Sequence, residues 1–201
     1  LVDLDSGHNI RTTVFVECSS MYRVAGPTSF SPVGETEFVN GVAAMSASGQ
    51  YGSARVCSAI VSFADLSLGA AVGDVLDAHM AASSRFRGIR HASGWDASEA
   101  VRNSHTNPPQ GLLSDATFRE GFRELDDRGL CFDAWVYHEQ IPELTALAQA
   151  FPNQPIVLDH FGGPLGIGPY AGQREAVFER WKKSISELAQ CENVVVKLGG
   201  L

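Results

Sequence analysis

The chain has 201 residues, 44% of them hydrophobic and 19% charged, an ordinary globular composition with enough length for one substantial core. A formal net charge of -8, with no cluster of Lys or Arg, excludes nucleic acid and anionic membrane surfaces as partners, because nothing would neutralise phosphates. No stretch is apolar enough to span a bilayer and no charged-then-apolar signal segment opens the chain; the four widely separated cysteines, with no C-x-x-C pair, read as thiols of a reducing, cytoplasmic compartment.

Apolar runs rich in β-branched residues alternate with stretches of helical period. "RTTVFVEC" (11–18) predicts a first strand, and a helix over about 35–48 follows with Phe38, Val42 and Met45 spaced for one face. "VCSAIVSFADL" (56–66) predicts the next strand, and 69–82 a helix whose apolar stripe carries Val72, Val75, Leu76 and His79, so this histidine is expected in the core or a groove. "FRGIRH" (86–91) is a shorter strand. A helix over about 117–128 has a capping box in Thr117 and Glu120, a buried face in Phe118, Phe122 and Leu125, and Gly129 as its stop. "CFDAWVYH" (131–138) precedes a helix with Pro142 in its first turn and Leu144, Leu147 and Phe151 facing inward. "PIVLDH" (155–160) leads through a glycine-rich loop to a helix over 173–190 lined by Val177, Trp181, Ile185 and Leu188, and "NVVVKLGG" (193–200) is the last strand.

Six strands alternating with helices define an α/β chain with a parallel sheet under helices. Polar residues end every strand: Glu17, Asp65, Arg90 with His91, Tyr137 with His138, Asp159 with His160, and Lys197. A barrel gathers all its strand ends at one mouth, whereas an open sheet uses only those near its switch point. The pattern therefore predicts a (β/α)8 TIM barrel. Six strands cannot close eight, and the chain is shorter than the roughly 250 residues usual for that fold. The expectation is a single partial barrel domain over residues 1–201, carrying about strands two to seven, with "LVDLDSGHN" as the tail of a helix and two open sheet edges.

Adjacent strand residues point to opposite sides, so one member of Asp159-His160 faces the mouth; His160 is the candidate, with Asp159 in supporting hydrogen bonds. Glu17 ends "TVFVE", where a carboxylate must be paired, hydrated or metal-bound. It is a candidate general base or metal ligand, or half of a buried ion pair with an arginine such as Arg90. Arg87 and Arg90 lie on opposite faces, and one of them is placed to clamp an anionic group. Tyr137-His138 poses the same either-or as Asp159-His160. Lys197 is the weakest of the strand-end candidates, since such a lysine is commonly solvated or paired. The long irregular stretch from Ala92 to Leu113 fits a lid or a substrate-lining loop with Trp95 as its contact residue. "FGGPLGIGPYAG" lacks the G-x-G-x-x-G order, so it predicts close backbone approach to a ligand rather than a dinucleotide site.

"SGHNIRTTVFVEC", "GETEFV", "FRGIRH", "GLCFDAWVYHEQIPELTALAQAFP", "IVLDHFGGPLG" and "NVVVKLGGL" together resemble the second amidohydrolase family, in its lactonase branch. The likeness runs in order over nearly the whole chain, and D-H-x-G-x-P at 159–164 is its most specific element. It implies a hydrolase that opens a small lactone, from a sugar acid or an aromatic catabolite, with an activated water. In that family an H-x-H pair on the first strand, a histidine on a middle strand and an aspartate on the last form the reaction centre. Only the middle histidine maps here, onto His160; the chain contains no H-x-H, in keeping with an excerpt. Strand-end position together with the resemblance makes His160 and Glu17 the catalytic and metal-binding candidates and Arg90, His91 and Tyr137 the substrate-binding ones, which Trp95 joins from the loop reading. It leaves open whether one divalent metal, zinc by preference, is needed, and whether the protein is a homo-oligomer. Two other readings are a non-oxidative decarboxylase of the same superfamily and a non-catalytic barrel that binds a small anion.

Overall fold

The structure is a computed structural model that describes residues 6–199; most of the expected leading helix tail lies outside these. Six strands alternate with helices and pair in parallel within the first three and within the last three, the architecture of a partial (β/α) barrel. The chain divides into two compact units. One comprises the residues up to Asp65 together with Ala71–Arg90, the other Leu66–Ala70 and the residues from His91 onward.

The first unit holds β1 (Thr12–Val16), α1 (Val33–Ala47), β2 (Arg55–Ser62), α2 (Val72–Ala82) and β3 (Phe86–Arg90). β2 lies between β1 and β3, with Phe15 level with Ile60 and Ser62 with Ile89. Ile60, Cys57, Val39 and Ala43 form a core under α1 that Phe15, Val42 and Val56 extend. The face of α1 differs from the expected one: Phe38 and Met45 stand exposed, while Glu35 and Thr36 are buried. Glu35 Oε1 accepts the backbone N–H groups of Cys18 (3.2 Å) and Ser20 (2.7 Å), and Thr36 pairs with Ser62 and His79, so partners elsewhere in the unit compensate two polar groups for burial. His79 is fully buried, as the stripe predicted. It stacks on Phe86 with centroids 4.9 Å apart, donates Nε2–H to the Phe63 carbonyl (3.1 Å) and accepts from Thr36 at Nδ1 (2.8 Å). Burial drives its pKa down from 6.5 to about 4.

The second unit holds α3 (Ala116–Asp126), β4 (Cys131–Ala134), α4 (Ile141–Ala150), β5 (Ile156–Leu158), α5 (Arg174–Leu188) and β6 (Val194–Val196). β5 is central, with Phe132 level with Ile156 and Leu158 with Val196. The N-cap of α3 is Asp115, whose carboxylate accepts the Phe118 N–H at 2.9 Å; the expected box starting at Thr117 lies two residues too far along. Phe118, Phe122 and Phe132 form a buried edge-to-face cluster that turns Phe132 toward α3. Asp133, the next residue, therefore projects from the opposite face of the sheet.

Candidate functional site

β5 ends in a left-handed turn. His160, Phe161, Gly162 and Gly163 have φ of 50°, 55°, 74° and 54°. This region costs an L-residue roughly 1–2 kcal/mol, so His160 and Phe161 are strained while the glycines are at ease. Space demands glycine as well: a Cβ on Gly162 would lie 2.7 Å from Ile141 Cδ1, and one on Gly163 2.5 Å from the Val136 carbonyl oxygen. Hydrogen bonds hold the turn, from Gly162 N–H to Asp159 O (2.8 Å), Gly163 N–H to His160 O (3.0 Å), His138 N–H to Gly163 O (3.2 Å) and Trp181 Nε1–H to Phe161 O (2.7 Å). At its start His160 is half-buried, with Nδ1 3.0 Å from the carbonyl oxygen of Gly199. A carbonyl only accepts, so Nδ1 bears the proton and, in the neutral ring, Nε2 keeps its lone pair.

One residue earlier, Asp159 is buried on the face shared with Asp133, and Lys197 joins them. Lys197 Nζ lies 2.7 Å from Asp159 Oδ1 and also pairs with Asp133 Oδ2. Its backbone N–H donates to Leu158 O at 2.9 Å, which sets it beside the end of β5. Burial pulls the ammonium pKa down, but hydrogen bonds and charge from the two carboxylates outweigh this and hold it above the usual lysine range. This three-strand ion network is the feature that the sequence reading missed. Its only local signal was a lysine and two aspartates at strand ends.

In the first unit Glu17 is buried and ion-paired: Arg90 Nε is 2.8 Å from its Oε1, and Arg90 Nη2 donates to its carbonyl at 2.8 Å. Of the readings open for Glu17, the structure displays the ion pair. Arg87 instead caps the carbonyls of Ser84 and Phe86, both at 2.8 Å.

The remaining candidates belong to the second unit. His91 is buried, its ring 5.5 Å from that of Phe118 and its Nδ1 accepting the Leu66 N–H at 3.3 Å. Tyr137 is half-buried, packs on Trp135 and donates its hydroxyl to the Arg102 carbonyl; burial and the charge of Asp96 raise its pKa. His138 is the buried member of that pair, edge-on to Tyr170, and burial lowers its pKa. Trp95 borders a pocket of about 370 Å³ with Asp96, Glu139, Gln140 and Tyr170. The loop around it is pinned rather than loose. Gln140 accepts N–H groups from Trp95 (2.9 Å) and Tyr137 (3.1 Å) and donates to Ser93 O (2.8 Å), while Tyr170 donates to Asp96 at 2.7 Å.

His160 Nε2 has the right chemistry for a metal ligand, but Glu17 is committed to Arg90, and no group of three His, Cys, Asp or Glu side chains converges among the described residues.

Parallel strand–helix units with titratable groups at the strand ends define the α/β barrel class of protein. The amidohydrolase family model matches residues 5–201, and the chain belongs to that family. It is 36% identical over 171 residues to the uncharacterized protein y4mH of Sinorhizobium fredii, covering 85% of this chain and 51% of that protein. It is 31% identical over 144 residues to the L-fucono-1,5-lactonase of Burkholderia ambifaria, covering 72% of this chain and 43% of the lactonase. The chain thus spans about half the length, or less, of these relatives. A crystal structure of an amidohydrolase from Burkholderia multivorans with bound zinc superposes with a TM-score of 0.60 at 26% identity, over 83% of this chain and 50% of that one.

Proposed function

We propose that the protein is a hydrolase that opens the ester of a small lactone, of the sugar-acid or aromatic-catabolite class, with an activated water. The observation that carries this reading is His160, held on a strained turn at a strand end with Nδ1–H given to Gly199 and Nε2 left with its lone pair. Likeness to proteins named L-fucono-1,5-lactonase supports the substrate class. In this reading Nε2 takes the proton of the water as it adds to the lactone carbonyl, then returns a proton to the departing alkoxide. Tyr137 and Trp95 border the substrate. The Tyr137 hydroxyl proton already belongs to the Arg102 carbonyl, so this residue offers its ring and oxygen lone pairs. Arg90, kept in one orientation by Glu17, is assigned an anion-holding role, and His91 a structural one on Phe118. His160 Nε2 bears the lone pair in this site that a divalent metal would use, and the metal would polarise the lactone carbonyl; no step is routed through it. Four free cysteines support a reducing compartment, and no helix among the described residues is long and apolar enough to cross a membrane.

The test is hydrolysis of a panel of sugar-acid and aromatic lactones against decarboxylation of aromatic carboxylates. Lactone turnover that drops by at least about a hundredfold in His160→Asn is expected, in the range of a lost acid–base group. Decarboxylation alone, or a fully active His160→Asn, overturns the assignment.

A further inference from the structure

We infer that Lys197 is a positioning residue: by bridging the ends of β5 and β6 it brings the Gly199 carbonyl to His160 and so selects the ring's Nδ1–H tautomer. Two links join these strand ends. Lys197 Nζ grips Asp159 Oδ1 at 2.7 Å, and two residues further along Gly199 O accepts the proton of the adjoining His160 at 3.0 Å. Asp159 is buried and lies directly before the strained turn, so its carboxylate fixes where that turn begins. Lys197 is held beside β5 by its own backbone N–H to Leu158 O at 2.9 Å, and its ammonium also pairs with Asp133 on β4. The ammonium hydrogen-bonds Asp133 and stands in ion-pair contact with Asp159, but only the Asp159 contact touches the segment that aims the imidazole.

A free imidazole prefers its proton on Nε2. The Gly199 carbonyl reverses this, and the reversal lasts only while the carbonyl stays within hydrogen-bond reach. Lys197 therefore acts on proton location at His160 without touching a substrate. The catalytic consequence rests on the lactonase reading; the tautomer does not.

The experiment reads the ring ¹⁵N shifts of His160 in the intact chain, above the imidazole titration range, with His160→Asn supplying the assignment. The unsubstituted protein is expected as the Nδ1–H form. Asp159→Asn, nearly isosteric, removes one link and is expected to move the tautomer ratio about tenfold toward Nε2–H, the worth of one neutral hydrogen bond. Asp133→Asn leaves the Lys197–Asp159 link in place and is expected to leave the ratio unchanged. Lys197→Met is expected to act like Asp159→Asn, and Lys197→Arg to restore the ratio. Should Lys197→Met fail to fold, the two asparagine variants still decide. Equal ratios in Asp159→Asn and Asp133→Asn, or an Nε2–H ring in the unsubstituted protein, overturn the inference. If the ratio moves as expected in a protein that hydrolyses no lactone, the positioning role stands and the functional assignment falls.

Discussion

Acid should destabilise the first unit through His79. Its ring is buried on Phe86, between Thr36 and the Phe63 carbonyl, and burial lowers its pKa from 6.5 to about 4; the smaller influences of Arg23 and Glu37 oppose each other. A folded pKa below the unfolded one means that the unfolded chain takes up the proton first, so stability is complete above about pH 6.5 and falls as the pH drops toward 4. Across that window each pH unit costs about 1.4 kcal/mol, which gives about 2 kcal/mol by pH 5 and about 3 kcal/mol by pH 4. Urea unfolding followed by far-UV circular dichroism at about pH 7.5 and pH 5, for the unsubstituted protein and for His79→Gln, isolates this contribution. The variant is less stable at the higher pH, since it loses a fitted partner, yet it should lose about 2 kcal/mol less on acidification. Equal losses in the two proteins, or an NMR titration of His79 near the ordinary imidazole value, would refute the reasoning.

Gly163→Ala combines a left-handed φ with a Cβ 2.5 Å from the Val136 oxygen and should cost at least about 2 kcal/mol in urea unfolding; a neutral outcome would mean the turn rearranges freely. Asp115→Ala removes the N-cap bond of α3 and should cost about 1 kcal/mol by the same measurement. Lys197→Met removes the cation shared by two buried carboxylates and should cost about 3 kcal/mol, with part recovered in Lys197→Met/Asp133→Asn; additive costs would deny the coupling.

The strand–helix alternation was legible because it rests on local periodicity. Each strand is a short apolar run, and the stripes of α2 and α3 name their own buried residues, His79 among them. The stripe of α1 misled because Glu35 and Thr36 are compensated by Cys18, Ser20, Ser62 and His79, partners that no local window contains. The same reason hid the network of Asp133, Asp159 and Lys197, three ordinary charges until β4, β5 and β6 place them side by side. The choice between Asp159 and His160 was half legible. Alternation shows that only one can share the face of the network, and that one is Asp159. His160 escapes the alternation altogether, because the chain has left the strand and reversed its hand there. The glycine pair hinted at a turn, but not that two side-chain-bearing residues would enter it.

Position 160 would suit asparagine better than histidine, since asparagine visits the left-handed region more readily. The substitution that removes the imidazole should therefore leave the molecule as robust as before, or slightly more so, even as it removes the group to which the proposed hydrolysis assigns its proton transfers. If the proposed hydrolysis holds, position 160 is where folding and activity ask for different amino acids.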